Sequence, residues 1–304
     1  MLIPKPVAGR LFVTGATLGT VIDGLHNQVL LQYDVAPINI QWTDQWSLAT
    51  SWIVPPLLGF AYVILGGVLP RLVQSVIASE DGSPKVEQPN TTKRMLLLRA
   101  ILAVASTAAI VRFSAILVDN SDNTLLGGFF NTAFFASATV PEQHLVLLLS
   151  LAMTQWAWLD SSIASLVVAS AAAIGGPLAE TPFIAAGCWE YLESDALYTV
   201  PVSWATDTAG VALHSLTGPC YFAVTMDAIA LGRWFAVWDV EEEESDTVDW
   251  ELGAIADSGP MNNAGKGTPV AVAAAVSSTL GDDDDQTKDN DDTGNQPSHS
   301  PSKR

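Results

Sequence analysis

Apolar residues along this chain come in long blocks, not in the alternating or one-faced patterns that build a water-soluble core. A helix needs ~20 predominantly apolar residues to cross ~30 Å of hydrocarbon. Six windows approach that length between polar or charged boundaries: residues 11–31, 52–77, 96–118, 144–159, 163–186 and 211–238. The fourth is short, and the first contains Asp23, His26 and Asn27. Lipid cannot satisfy exposed backbone N–H and C=O groups, which leaves helices as the spanning element for blocks of this length. The pattern predicts an all-α fold, a polytopic transmembrane helical bundle with six spans. The apolar stretch 125–138 is too short to cross and reads as an interfacial or re-entrant segment.

The cations test this count, because short cytoplasmic loops are enriched in Lys and Arg. Lys5 and Arg10 precede the first window, Lys85, Lys93 and Arg94 lie between the second and third, and Arg233 lies near the end of the sixth. Residues 33–51, 119–143 and 187–210 contain no Lys or Arg. That alternation fits six crossings with both termini cytosolic. The first ten residues, with two cations and no small-residue cleavage pattern ahead of the first window, read as a signal anchor.

After Trp238 the pattern changes. Residues 239–304 hold 16 acidic and 4 basic residues, a balance of −12 out of −19 for the whole chain. Runs such as Glu241 to Glu244 and Asp282 to Asp285 bury too little apolar surface to fold. The expected organisation is therefore a transmembrane domain over 1–238 and a disordered acidic cytosolic tail over 239–304. The acidity also sets nucleic acid aside as a partner, since phosphate contacts need a basic surface.

Composition agrees: 49% of residues are hydrophobic and only 15% charged, against about 25% charged in soluble domains. Cys188 and Cys220 make no disulfide framework, and no Cys/His spacing suggests a metal site. No nucleophile with a nearby base and no Gly-rich phosphate loop is visible. The expectation is a protein that is not an enzyme and has no cofactor or metal.

Several residues stand out chemically. Pro55 and Pro56, after Trp52, suit a first helical turn, or a broken helix start lining a cavity. Gly15 and Gly19 form a GxxxG pair that would let helices approach closely. Asp23 and Asn27 share a helix face, and Arg112 and Asp227 lie deep in their spans; ionisable groups there are paired or functional by default. An Arg112–Asp227 pair is one reading and a proton or ion pathway another. Asp160, between the fourth and fifth windows, would cap the following helix or present its charge to a partner. Asn90-Thr91-Thr92 is an N-glycosylation sequon placed in the cytosol by the charge pattern.

Taken in order, these segments resemble the Insig (insulin-induced gene) family of endoplasmic reticulum membrane proteins over roughly residues 9–235. Ser51-Trp52-Ile53-Val54-Pro55-Pro56 with Gly59, Gly66 and Pro70 is similar to that family's W-V-P-P-x-x-G stretch. Trp156-Ala157-Trp158-Leu159-Asp160-Ser161 resembles its W-x-F-D-x-S junction, and Gly187-Cys188-Trp189-Glu190-Tyr191 with Asp195, Leu197 and Tyr198 resembles its G-x-Y-x-Y…D-x-L-Y stretch. Pro219-Cys220 and Gly232-Arg233 resemble its last span. Departures are insertions over about 120–142 and 199–216, Ser161 in place of a basic residue, Asp227 in a normally neutral span, and the acidic tail.

The resemblance implies a sterol-responsive adaptor of the endoplasmic reticulum membrane. Such a protein binds an oxysterol among its helices and retains or regulates polytopic client proteins of sterol synthesis, either a transcription-factor escort protein or HMG-CoA reductase. It points to Asp160, Trp158 and Ser161 for partner binding. Asp23, Asn27, Trp52, Pro55, Pro56, Trp189, Tyr191, Tyr198 and Cys220 are then candidates for the sterol pocket or its support. A homo-oligomer is left open. The alternative is a small-solute or proton transporter using Asp23, Arg112 and Asp227.

Overall fold

The computed structural model describes residues 3–43, 46–81, 92–119, 138–192, 197–201 and 210–257, apart from the side chains at 26–29, 46, 78–81 and 239–257. The chain divides into Met1–Ile255 and a second unit, Ala256–Arg304. Within the first, the described helices form six rods. Helix α1 (Lys5–Thr14) continues through a π-helical turn at Gly15–Gly19 into α2 (Thr20–Leu30). Helix α3 (Val54–Tyr62) continues through another at Val63–Val68 into α4 (Leu69–Asp81). The other four rods are α5 (Lys93–Asp119), α6 (Val140–Leu159), α7 (Ile163–Ala185) and α8 (Thr217–Asp257).

The rods match the six apolar windows in order, and the chain is a multi-pass helical membrane protein. Four of them, Val54–Ile77, Lys93–Asp119, Ile163–Ala185 and Thr217–Trp238, are long and apolar enough to cross a membrane. The first and fourth rods fall short of that hydropathy. The first carries Asp23, His26, Asn27 and Gln28, and the fourth carries Glu142, Gln143, His144, Thr154 and Gln155. Large apolar side chains such as Phe60, Ile101, Ile163 and Ile174 are exposed on the rods, as a surface facing lipid tails requires.

Three elements differ from the sequence reading. Residues 211–214 do not begin the last helix: they form strand β6 (Val211–His214), paired antiparallel with β5 (Leu197–Val200). The last helix starts at Thr217 and runs on to Asp257, past the boundary placed at 238. The segments joining the rods also build strands: β1 (Leu31–Tyr33) pairs with β4 (Trp189–Tyr191), and β2 (Pro37–Thr43) with β3 (Trp46–Ser51). The Leu192 N–H that follows β4 donates to the Leu30 carbonyl at 3.0 Å, an acceptor that the end of α2 leaves unpaired. The proposed re-entrant stretch 125–138 lies, except for Ala138, outside the described residues.

Helix α8 is the centre of the bundle. In its apolar window 61% of the residues are buried, against 28–39% in the other three candidate spans. Gly232 is packed so closely on the second rod that a Cβ there would come 2.3 Å from the Gly66 carbonyl oxygen, and one at Gly66 would meet the Ala228 oxygen at 2.3 Å. Close backbone approach of this kind is how helices associate where lipid supplies no hydrophobic driving force. On the first rod, Gly15 and Gly19 form the seat of the fully buried Tyr62 ring. Polar contacts add to the packing: Thr107 Oγ1 donates to the Ala223 carbonyl at 2.9 Å, and Gln155 Nε2 donates to Thr107 Oγ1 at 2.8 Å and Ser106 Oγ at 2.9 Å.

Candidate functional site

Where α2, α3, α5, α7 and α8 meet the paired strands β1 and β4, they enclose a cavity of about 110 Å³. Leu31, Val54, Leu57, Leu58, Val111 and Val224 supply its apolar walls. Its polar residues are Asp23, Tyr33, Glu180, Tyr191, Thr217 and Tyr221, with Trp189 and Cys220 beside them. Ligand sites in proteins share this composition, mostly apolar walls with a few convergent polar groups.

The polar groups are held by local sequence. Gly176 and Glu180 stand four residues apart on one face of α7. Because Gly176 has no side chain, the Tyr221 ring of α8 lies flat against it; a Cβ there would come within 2.5 Å of that ring. The Tyr221 hydroxyl then donates to Glu180 Oε1 at 2.8 Å. From the other side the Tyr191 hydroxyl on β4 donates to Glu180 Oε2 at 2.7 Å, and Thr217 Oγ1 donates to the Tyr191 oxygen at 3.2 Å. Across the cavity the Tyr33 hydroxyl on β1 donates to Asp23 Oδ2 at 3.2 Å. Burial, then the neighbouring carboxylates, raise the Tyr33 and Tyr191 phenols well above their ordinary value. These hydroxyls stay protonated and act as donors. Trp189, stacked on Phe183 with ring centroids 5.1 Å apart, closes this end of the wall.

A second polar spot lies deeper. Asp227 of α8 is fully buried, and the Tyr62 hydroxyl, the Thr107 hydroxyl and the Ala228 N–H surround it without a hydrogen bond of good geometry to either oxygen. Arg112 is not among these groups, so the Arg112–Asp227 pair is not formed.

The third site is the turn between α6 and α7. Asp160 follows α6, but the helix cap it was expected to provide comes from Ser162, whose hydroxyl accepts from the Ser165 N–H at 3.2 Å. Asp160 instead accepts from the Arg233 guanidinium of α8, and from Ser162 Oγ at 2.8 Å. Burial would raise its carboxyl, but Arg233, Ser165 and Ser162 hold it below the usual carboxylate range. Ser161 adopts a left-handed φ of 57°, and Trp158 is 83% exposed. The two connections with the strands are at one end of the rods and this turn is at the other, as the chain order requires.

Of the residues expected in a pocket, Asp23, Trp189, Tyr191 and Cys220 line the cavity. Trp52 does not: it is 71% exposed, in the turn before α3. Pro55 and Pro56 are in the first turn of α3, while Val54, Leu57 and Leu58 of that segment face the cavity. Tyr198, on β5, is also outside the lining, and the Asn27 side chain lies outside the described residues. The sequence reading missed Glu180, Tyr221, Tyr33 and Thr217. Glu180 had a signal, as a lone carboxylate inside an apolar window. The others had none, because an isolated Tyr or Thr looks the same in a wall as in a site. Among the described residues no group of three His, Cys, Asp or Glu side chains could hold a metal.

Fold and cavity define a class, a multi-pass helical membrane protein with a largely apolar chamber between its helices. No family model matches the chain, and no curated protein does. It is similar to the crystal structure of MvINS, a mycobacterial Insig homolog from Mycobacterium vanbaalenii. That match has 18% identity and a TM-score of 0.49, covering 76% of this chain and 95% of that one. It is also similar to a cross-linked MvINS trimer, at 18% identity and a TM-score of 0.49, covering 78% of this chain and 97% of that one.

Proposed function

We propose that this protein is a ligand-responsive membrane adaptor: it binds an oxysterol in the chamber and, in that state, retains or regulates polytopic client proteins of sterol synthesis in the endoplasmic reticulum. The observation that carries the reading is the chamber itself, apolar along its length and polar at the strand-covered end. A rigid amphiphile with hydroxyl groups matches those two kinds of wall. The chamber is shared by five helices and two strands, so a ligand that fits only one packing of them shifts the population towards it. Client docking has support at the other end of the rods. Trp158 is almost fully exposed beside a groove between α5 and α6 lined by Ala105, Ala109, Phe113 and Leu151.

The test is photocrosslinking of a diazirine-bearing hydroxysterol to the purified protein, followed by peptide mapping. Label is expected on the wall segments around Leu57 and Val224, with competition by unlabelled hydroxysterol and loss in Leu57→Trp. Label spread over the lipid face, insensitive to both, would sink the reading.

A second reading, a proton or small-solute transporter, is favoured by one observation. The wall residue Gly19 is in contact with the Tyr62 ring, whose hydroxyl faces the buried Asp227, so polar groups continue inward from the chamber. Substrate-dependent proton flux in proteoliposomes, abolished by Asp227→Asn, would place this reading first.

A further inference from the structure

The polar end of the chamber has an imbalance that a neutral sterol leaves uncorrected. It contains two carboxyl groups, Asp23 and Glu180, and among the described residues its lining has no Lys, Arg or His. The hydroxyl protons of Tyr33, Tyr191, Tyr221 and Thr217 are all directed at acceptors within the cluster. What the cluster keeps for a ligand is acceptor capacity: a carboxylate offers about four lone-pair sites, and the phenols occupy one on each Glu180 oxygen. Tyr33 and Tyr221 lie within the field of both carboxyl groups, so the two acids face one end of the same space.

One donor is left over. Trp189 is 6% exposed, and its indole N–H is buried beside Glu180 without a hydrogen bond of good geometry. A buried unpaired donor costs free energy unless something supplies an acceptor. The site therefore offers several carboxyl-oxygen acceptors and one poorly paired donor, next to apolar walls.

Building on the reading of the chamber as a ligand site, we infer that its polar end takes the head of an amphiphile carrying a protonated amine, with a hydroxyl beside it. The ammonium has three donors and a positive charge for Asp23 and Glu180, and the hydroxyl oxygen accepts from Trp189 Nε1. The hydrocarbon part lies along Leu57, Leu58, Val111 and Val224. A head with only acceptors, such as a carboxylate, meets two acids and is rejected. Charge pairing inside the span neutralises groups that are costly alone in hydrocarbon.

The experiment uses the full-length chain in phosphatidylcholine nanodiscs and radiolabelled 2-aminooctadecan-1-ol, competed by the unlabelled compound, octadecan-1-ol, octadecanoate and a hydroxysterol. The amino alcohol is expected to bind saturably and about tenfold or more tighter than the alcohol, the factor one charge-assisted hydrogen bond supplies. Octadecanoate should not compete. Glu180→Gln, which keeps the shape and one of the two tyrosine acceptors, should bring the amine and alcohol affinities close together, and Asp23→Asn should narrow the gap independently. Equal affinities for amine and alcohol in the unmutated protein, or competition by octadecanoate, would overturn the inference whatever the variants do. Saturable sterol binding without an amine preference would leave the adaptor reading standing and remove this one; an amine preference without sterol binding would do the reverse.

Discussion

Arg233, near the end of the apolar part of the bundle's central helix, donates to Asp160 in the turn between α6 and α7, joining three helices at one point. The side chains are 27% and 8% exposed respectively, so the pair is sheltered without being dry. Removing one partner leaves a partly buried charge, which costs more than a surface ion pair is worth. Asp160→Asn and Asp160→Ala are both expected to destabilise the protein by about 2 kcal/mol, as loss of a hydrogen bond to a charged group does. A double-mutant cycle with Arg233→Gln, read by thermal unfolding in detergent, measures the coupling. If Asn retains full stability and Ala does not, the residue acts as a neutral acceptor and the ion pair contributes nothing.

The same pair sets a pH dependence. The folded carboxyl of Asp160 is held below its unfolded value. Its contribution is therefore fully present above the unfolded pKa of about 3.9 and is lost as pH falls through the lower, folded value. The gap in melting temperature between the unmutated protein and Asp160→Asn should be constant at neutral pH and close in the acid range below about 4. A gap that instead shrinks between pH 6 and 8 would point to a different titrating group.

Gly176 tests the geometry of the chamber. A methyl group there comes within 2.5 Å of the Tyr221 ring, so Gly176→Ala should push the ring off α7 and break its bond to Glu180. Tyr221→Phe breaks the same bond without moving the ring. Both should alter ligand affinity in the same direction, and only Gly176→Ala should also lower the melting temperature, by the ~1–3 kcal/mol typical of overpacking.

Gly232 tests the helix contact at the centre. Its neighbour is a backbone carbonyl, which cannot turn aside as a side chain can. Gly232→Ala should force the second rod and α8 apart and cost upwards of about 1–3 kcal/mol. Gly9, whose added Cβ meets nothing within 4 Å, is the control and should tolerate Ala or gain slightly. Similar melting temperatures for the two variants would contradict the packing described here.

Membrane orientation is read by the sequon at Asn90, which the cation pattern places in the cytosol. Expressed in microsomes, the chain should remain unglycosylated there, while a sequon engineered near residue 36, in the cation-free segment at the other end of the first rod, should acquire glycan. The opposite result inverts every crossing.

The sequence by itself determined the helical rods, their order and their membrane setting. Long apolar blocks interrupted by polar segments have few other solutions in lipid, and this constraint is local to each block. It also marked Asp23, as a carboxylate in an apolar window, and Trp189, Tyr191 and Cys220, through resemblance, as candidates for a pocket or its support. Only the tertiary structure decided that Ser162 caps α7, that Asp160 pairs with Arg233, that residues 211–214 form a strand, and that Arg112 stays apart from Asp227. Each of these depends on which side chain arrives from a distant element. Arg233 is 73 residues from Asp160, and Tyr221 is 41 from Glu180. Hydropathy places a residue along the membrane normal; rotation of the helices about their axes, set by contacts such as Gly66 on Gly232 and Gly176 under Tyr221, chooses which residues face one another.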